Sequence, residues 1–179
     1  MRCWQGSDVV PVLETERLRL RGHAAPDFDA SAAMWADERV TRFIGGKPSS
    51  REDSWRRFMG FPGHWALMGY GYWLIEEKAT GAYVGDGGFA DFKRDLGQYM
   101  FDAPEQGWAL NPAMHGKGYA TEAASAMIAW AERKFGRSDF VCMISPENTP
   151  SIRVAEKLGY REFARCDYKG AASILFRRA

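Results

Sequence analysis

Eight consecutive residues, His115-Gly116-Lys117-Gly118-Tyr119-Ala120-Thr121-Glu122, place glycines, a lysine and a histidine just ahead of a long amphipathic stretch. Glycine lets a backbone come close to a ligand, and the first turn of a helix offers free N–H groups at the positive end of its dipole. Together these can hold an anion such as a phosphate. The same glycines serve equally as turn residues, so the chemistry alone leaves both readings open. Lys117 either meets a phosphate or is simply solvated, and His115 tunes the anion site, acts as a base, or is a surface or packing residue beside the turn. Two nucleotide motifs are excluded: a P-loop needs four residues between its first glycine and Gly-Lys-Ser/Thr, and a Rossmann fingerprint needs a third glycine.

A second cluster, Asn148-Thr149-Pro150-Ser151, precedes Glu156-Lys157-Leu158-Gly159-Tyr160. Thr149 before Pro150 reads as an N-cap followed by proline at the first helical position. Ser151 is then a hydroxyl on a first helical turn, and Glu156 with Lys157 a solvated face.

The elements that must position these groups follow from periodicity. Glu16–Arg21 alternates leucine with arginine and predicts a first strand. Phe28, Ala32, Met34, Trp35 and Val40 predict a helix, and a second is expected over Arg51–Met59. Between Phe58 and Tyr72, glycines, Pro62, Trp65 and Tyr70 predict an irregular aromatic loop. Tyr72–Glu76 and Ala82–Gly85 predict a hairpin, and Gln106–Leu110 another strand, stopped by Pro112. The clearest helix is Tyr119–Phe135, closed by Gly136. Val141–Ile144, a helix over Pro150–Leu158, and strands over Glu162–Tyr168 and Ser173–Arg177 complete the order. Trp55, Phe58, Phe61, Trp65, Tyr70, Tyr72 and Trp73 are core material first, with a minority expected to wall a pocket.

Of the 179 residues, 46% are hydrophobic and 26% charged, which places the chain among ordinary globular proteins and predicts a single domain over residues 1–179 with a core of about 13–176. The 24 Lys and Arg against 23 Asp and Glu create no global field toward nucleic acid or an anionic membrane, so neither is an expected partner. Cys3, Cys142 and Cys166 are odd in number and widely spaced, and read as reduced thiols rather than disulfides or zinc ligands. His23 and His64 lack ligand-spaced neighbours and read as structural, with no metal expected. Met1–Pro11 lacks the apolar core of a signal peptide, and no apolar run reaches the roughly 18–20 residues of a membrane span, so the cytosol is expected. Assembly state is not written in the sequence, homodimers being the commonest symmetric form.

The segment from His115 resembles the pyrophosphate loop of the GCN5-related N-acetyltransferases, Gln/Arg-x-x-Gly-x-Gly/Ala, with Gly118 and Ala120 in the last two places and His115 for the usual Gln or Arg. The Asn148–Tyr160 cluster resembles the second motif of that family at the right distance. With Glu14-Thr15-Glu16-Arg17-Leu18, the likeness is to the branch that includes ribosomal-protein N-terminal acetyltransferases. It implies an α/β fold with a central mixed, mostly antiparallel sheet, flanked by helices and splayed between the Gln106–Leu110 and Val141–Ile144 strands. It also implies acetyl-coenzyme A as co-substrate and a primary amine, on a protein N-terminus or a small molecule, as acceptor in a ternary complex.

By the same resemblance, the backbone of Trp108, Ala109 and Leu110 would pair with the pantetheine arm. The pyrophosphate would sit on the N–H groups of Gly116, Lys117, Gly118, Tyr119, Ala120 and Thr121. Asn148 would bind the pantetheine, and Ser151 would approach the sulfur. An ammonium cannot attack a thioester, so a base is needed; Glu105 is the first candidate, with Asp167 and a water relay as rivals. A backbone N–H near Trp108–Leu110 could stabilise the oxyanion. Ser151, itself a feature of the ribosomal-protein branch, is the candidate acid, while Ala155 stands where many relatives carry a tyrosine in that role. That departure motivates a second reading, a sensor or partner module that binds acyl-coenzyme A with little turnover.

Overall fold

A computed structural model of the protein describes residues 10–99 and 101–179, so Cys3 and most of the Met1–Pro11 reading lie outside the described residues. Eight strands form one sheet: β1 (Leu13–Glu14), β2 (Leu18–Arg21), β3 (Tyr72–Glu77), β4 (Tyr83–Ala90), β5 (Glu105–Leu110), β6 (Phe140–Ile144), β7 (Arg161–Tyr168) and β8 (Ala171–Arg178). Their order is β1-β2-β3-β4-β5-β6-β8-β7. Every neighbouring pair is antiparallel except β5–β6, which is parallel and in register at Glu105↔Val141. Past that point the two strands diverge, and the sheet opens into a wedge whose closed end is Glu105.

A parallel pair requires a crossover, and α4 (Tyr119–Phe135) supplies it. Ala123, Ala124, Met127, Ile128 and Ala131 of α4 are buried against Leu18, Leu20, Trp73, Ile75, Phe89 and Phe140. The other face of the sheet carries α1 (Phe28–Trp35), α2 (Glu38–Thr41) and α3 (Arg51–Met68). Among the described residues, no helix is long and apolar enough to cross a membrane.

Four expectations need correction. The aromatic segment after Met59 is not a loop: α3 runs on to Met68 and ends at Gly69, whose φ is +70°. Gly60, Pro62 and Gly63 are local helix breakers, but Phe58 and Trp65 bury on one face and that packing outweighs propensity. The helix expected through Val40 is two helices, because Asp37 turns extended and caps α2 through the Arg39 N–H. A short strand, β1, precedes the first expected one. Finally, the cap of α5 (Thr149–Lys157) is Asn148 rather than Thr149, its side chain accepting from the Ser151 N–H.

Candidate active site

The wedge exposes one edge of β5. Asn111 donates its N–H to Val84 O on the β4 side, and Val141 donates to Pro104 O on the β6 side. By the two-residue period of a strand, Trp108 and Leu110 therefore turn their backbone groups toward the gap. Ala109 does not: it pairs with Asp86 of β4, and its side chain is buried with Met34, Trp35 and Val40. Of the three residues expected to line the arm, two face the opening with their backbone.

At the open end lies the glycine segment. Gly116 and Gly118 have φ of +77° and +80°, left-handed values that side chains resist, and Gly118 caps α4. The first helical bond runs from Glu122 N–H to Gly118 O, so the N–H groups of Tyr119, Ala120 and Thr121 head the helix without an intrahelical partner. These donors and the helix dipole fit a phosphate. The His115 ring turns back, with Nε2 2.9 Å from Leu110 O. Lys117 is exposed, with Nζ 3.9 Å from Glu77 Oε1. The Tyr119 side chain is buried and donates to Glu77, so only its backbone faces the site.

What holds this loop is missing from the expected residues. Arg17 donates from NH1 to Lys117 O at 2.9 Å and from Nε to Glu122 Oε2 at 2.7 Å. Glu122 Oε1 also accepts from Thr15 at 2.6 Å and the Arg17 N–H at 2.9 Å. Burial works to raise the Glu122 carboxyl, but these donors outweigh it and hold the group below its ordinary value. Thr15 and Arg17 belong to the Glu14–Leu18 segment already singled out in the sequence, where nothing assigned them a partner.

On the β6 side of the wedge, Asn148 Oδ1 accepts the Ser151 N–H at 3.2 Å, leaving the Asn148 amide N–H groups to face other partners. Ser151 is half-buried on the first turn of α5. Ala155 is fully buried in the core and has no side-chain donor.

At the closed end, Glu105 is 6% exposed and accepts from Arg94 Nε at 2.6 Å and NH2 at 2.8 Å. Burial pushes its carboxyl up, against the pull of the guanidinium. Asp167, its rival, is exposed near the β7–β8 turn and accepts the Gly170 N–H at 2.8 Å, a turn role. Next to Glu105, Gly107 is where Tyr72 approaches: a methyl there would lie 2.1 Å from the tyrosine oxygen. Tyr72 stacks on Phe61, and Phe61 on His23, whose Nε2 lies 2.9 Å from buried Asp86. Trp65 and Trp73 are core, whereas Tyr70 lines a cavity beside Glu105.

Residues 17–161 match the family model described as Acetyltransferase (GNAT) domain. The chain is 35% identical over 161 residues to the uncharacterized N-acetyltransferase YnaD of Bacillus subtilis (strain 168), covering 88% of this chain and 89% of that protein. The solved acetyltransferase from Agrobacterium tumefaciens str. C58 is 31% identical, with a TM-score of 0.81 and 94% of each chain covered. The ribosomal L7/L12 α-N-protein acetyltransferase RimL, solved with coenzyme A, shares the fold at 16% identity, with a TM-score of 0.76 over 94% of this chain and 97% of that one.

Proposed function

This chain belongs to the GNAT acetyltransferase family, and from that premise we propose that it carries the acetyl group of acetyl-coenzyme A to a primary amine by direct attack within a ternary complex. The class, an acetyl-coenzyme A-dependent acyltransferase, follows from the family; the acceptor and residue roles are our reading. The observation that carries it is the wedge: a strand edge that turns the Trp108 backbone and the Leu110 N–H toward the gap, with Leu110 O taken up by His115, running from a helix N-terminus with free donors to a buried carboxylate. Acetyl-coenzyme A supplies an activated acyl group on a good leaving group.

The chain's own groups divide the remaining work. Trp108 and Leu110 pair with the pantetheine, the Gly116–Thr121 N–H groups bind the pyrophosphate, and the Asn148 amide steadies the arm. Glu105 takes the proton of the ammonium, the Trp108 N–H supports the oxyanion, and the Ser151 hydroxyl gives a proton to the departing sulfur. Balanced charge and reduced thiols are consistent with a cytosolic setting.

The test is Ser151→Ala assayed by free-thiol release. A large loss of turnover with little loss of cofactor affinity supports the acid role; an unchanged rate removes Ser151 from the mechanism. The second reading, a binding module with little turnover, draws on Ala155 and on the Arg94 clamp over Glu105. It is favoured if wild-type protein binds acetyl-coenzyme A yet releases no thiol with any amine.

A further inference from the structure

Two stretches of the connector between β4 and β5, residues 91–94 and 101–104, come together at the closed end of the wedge. With Tyr70, Ala90 and Glu105 they line an open cavity of about 410 Å³, within the roughly 300–1,000 Å³ of small-molecule sites. Tyr70, Phe92 and Phe101 give it aromatic walls. Among its charged groups, Lys93 pairs with Asp91 at 2.6 Å and Asp102 with Arg177 at 2.6 Å. That leaves the Arg94–Glu105 pair next to the expected position of the thioester.

This pair is asymmetric. The Arg94 side chain is 20% exposed and Glu105 only 7%, so a ligand in the cavity meets the cation first. Arg94 packs against the rings of Phe92 and Tyr168, at 4.7 and 5.0 Å from their centroids. Two of its nitrogens serve Glu105, and a guanidinium fork is the group best matched to a second carboxylate.

We propose that the acceptor is a small amino-acid-like amine, and that its own carboxylate draws Arg94 away from Glu105. The proposal rests on the acetyl-transfer reading above and names its substrate class. Once Arg94 turns to the incoming carboxylate, Glu105 loses the cation that stabilised its buried charge, and its affinity for a proton rises. It then takes the proton of the acceptor ammonium. The freed nitrogen attacks the acetyl carbonyl carbon; the C–N bond forms, the C–S bond breaks, the thiolate takes a proton from Ser151 or water, and the second proton leaving the nitrogen restores that donor. An α-amino acid holds its two charged groups close enough to meet Arg94 and Glu105, which are themselves in contact. A polyamine would bring further cations beside Arg94 and Lys93, and the aromatic walls favour an apolar side chain.

Three acceptors test this on the intact protein with saturating acetyl-coenzyme A: L-phenylalanine, L-phenylalaninamide and phenethylamine. Free-thiol release gives kcat/KM for each, and calorimetry on coenzyme A-saturated protein gives affinity. Phenylalanine should exceed both others by about tenfold or more, what one charge-assisted contact is worth. Arg94→Gln should abolish that preference and Arg94→Lys restore part of it. Equal or better use of the amide by wild-type protein overturns the proposal, as does a preference that survives in Arg94→Gln. A protein that binds acetyl-coenzyme A but neither binds nor acetylates phenylalanine overturns it too. Failure to bind acetyl-coenzyme A is a different result, and sinks the acetyl-transfer reading itself.

Discussion

At the open end of the wedge, the proposed reading assigns binding to backbone groups whose placement is local, two left-handed glycines followed at once by a helix. At the closed end it falls to side chains gathered from separate parts of the chain: Glu105 on β5, Arg94 on the connector and Tyr72 on β3. Backbone donors can serve any phosphate and carry little information about the acceptor. In the proposed reading, side chains at the closed end set the acceptor.

Substitutions at the two ends should therefore separate acceptor chemistry from cofactor affinity. The largest effect is expected from Glu105→Gln, which should lower kcat/KM for the acceptor by roughly 10²–10⁴ and leave acetyl-coenzyme A affinity near wild type. A general base acts when deprotonated, and burial raises this carboxyl. The rising limb of the pH–rate profile should thus lie above the ordinary glutamate value and vanish in Glu105→Gln, as a pH series on both proteins would show.

Next comes Gly107→Ala, which drives a methyl into the Tyr72 hydroxyl. Overpacking of this kind costs about 1–3 kcal/mol, measurable by urea unfolding, and Tyr72→Phe in the same chain should recover part of it. At the open end, Gly118→Ala forces a side chain into φ of +80° and should cost about 1–2 kcal/mol while weakening acetyl-coenzyme A binding. The smallest effect is expected from Glu122→Gln, which loosens Arg17 from the loop and should raise the Kd for acetyl-coenzyme A several-fold with the acceptor KM unchanged. Because the Glu122 carboxyl is held low in the fold, its contribution is present above the unfolded carboxylate value and is lost as pH falls through the folded one. The variant should therefore differ from wild type in thermal stability at neutral pH and converge with it in strong acid.

Legibility in the sequence follows the same division. Helix α4 was expected over Tyr119–Phe135 and has those bounds, since its apolar stripe and the glycines at both ends are local signals. The glycine segment was equally readable. The part of α3 beyond Met59 was not, because Gly60, Pro62 and Gly63 sit among the aromatics whose burial decides the outcome. Nor does any spacing reveal that Thr15 and Arg17 grip Glu122 from more than a hundred residues away. Glu105 was singled out by its place before a strand, but the guanidinium that covers it comes from a segment with no regular pattern of its own.

The wedge as a working cofactor site is tested most directly by thermal unfolding with and without acetyl-coenzyme A. A ligand that binds only the folded protein at about 100 times its Kd adds roughly 2.7 kcal/mol, so a clear upward shift in Tm is the expected result. No shift at saturating acetyl-coenzyme A would contradict the account at its centre.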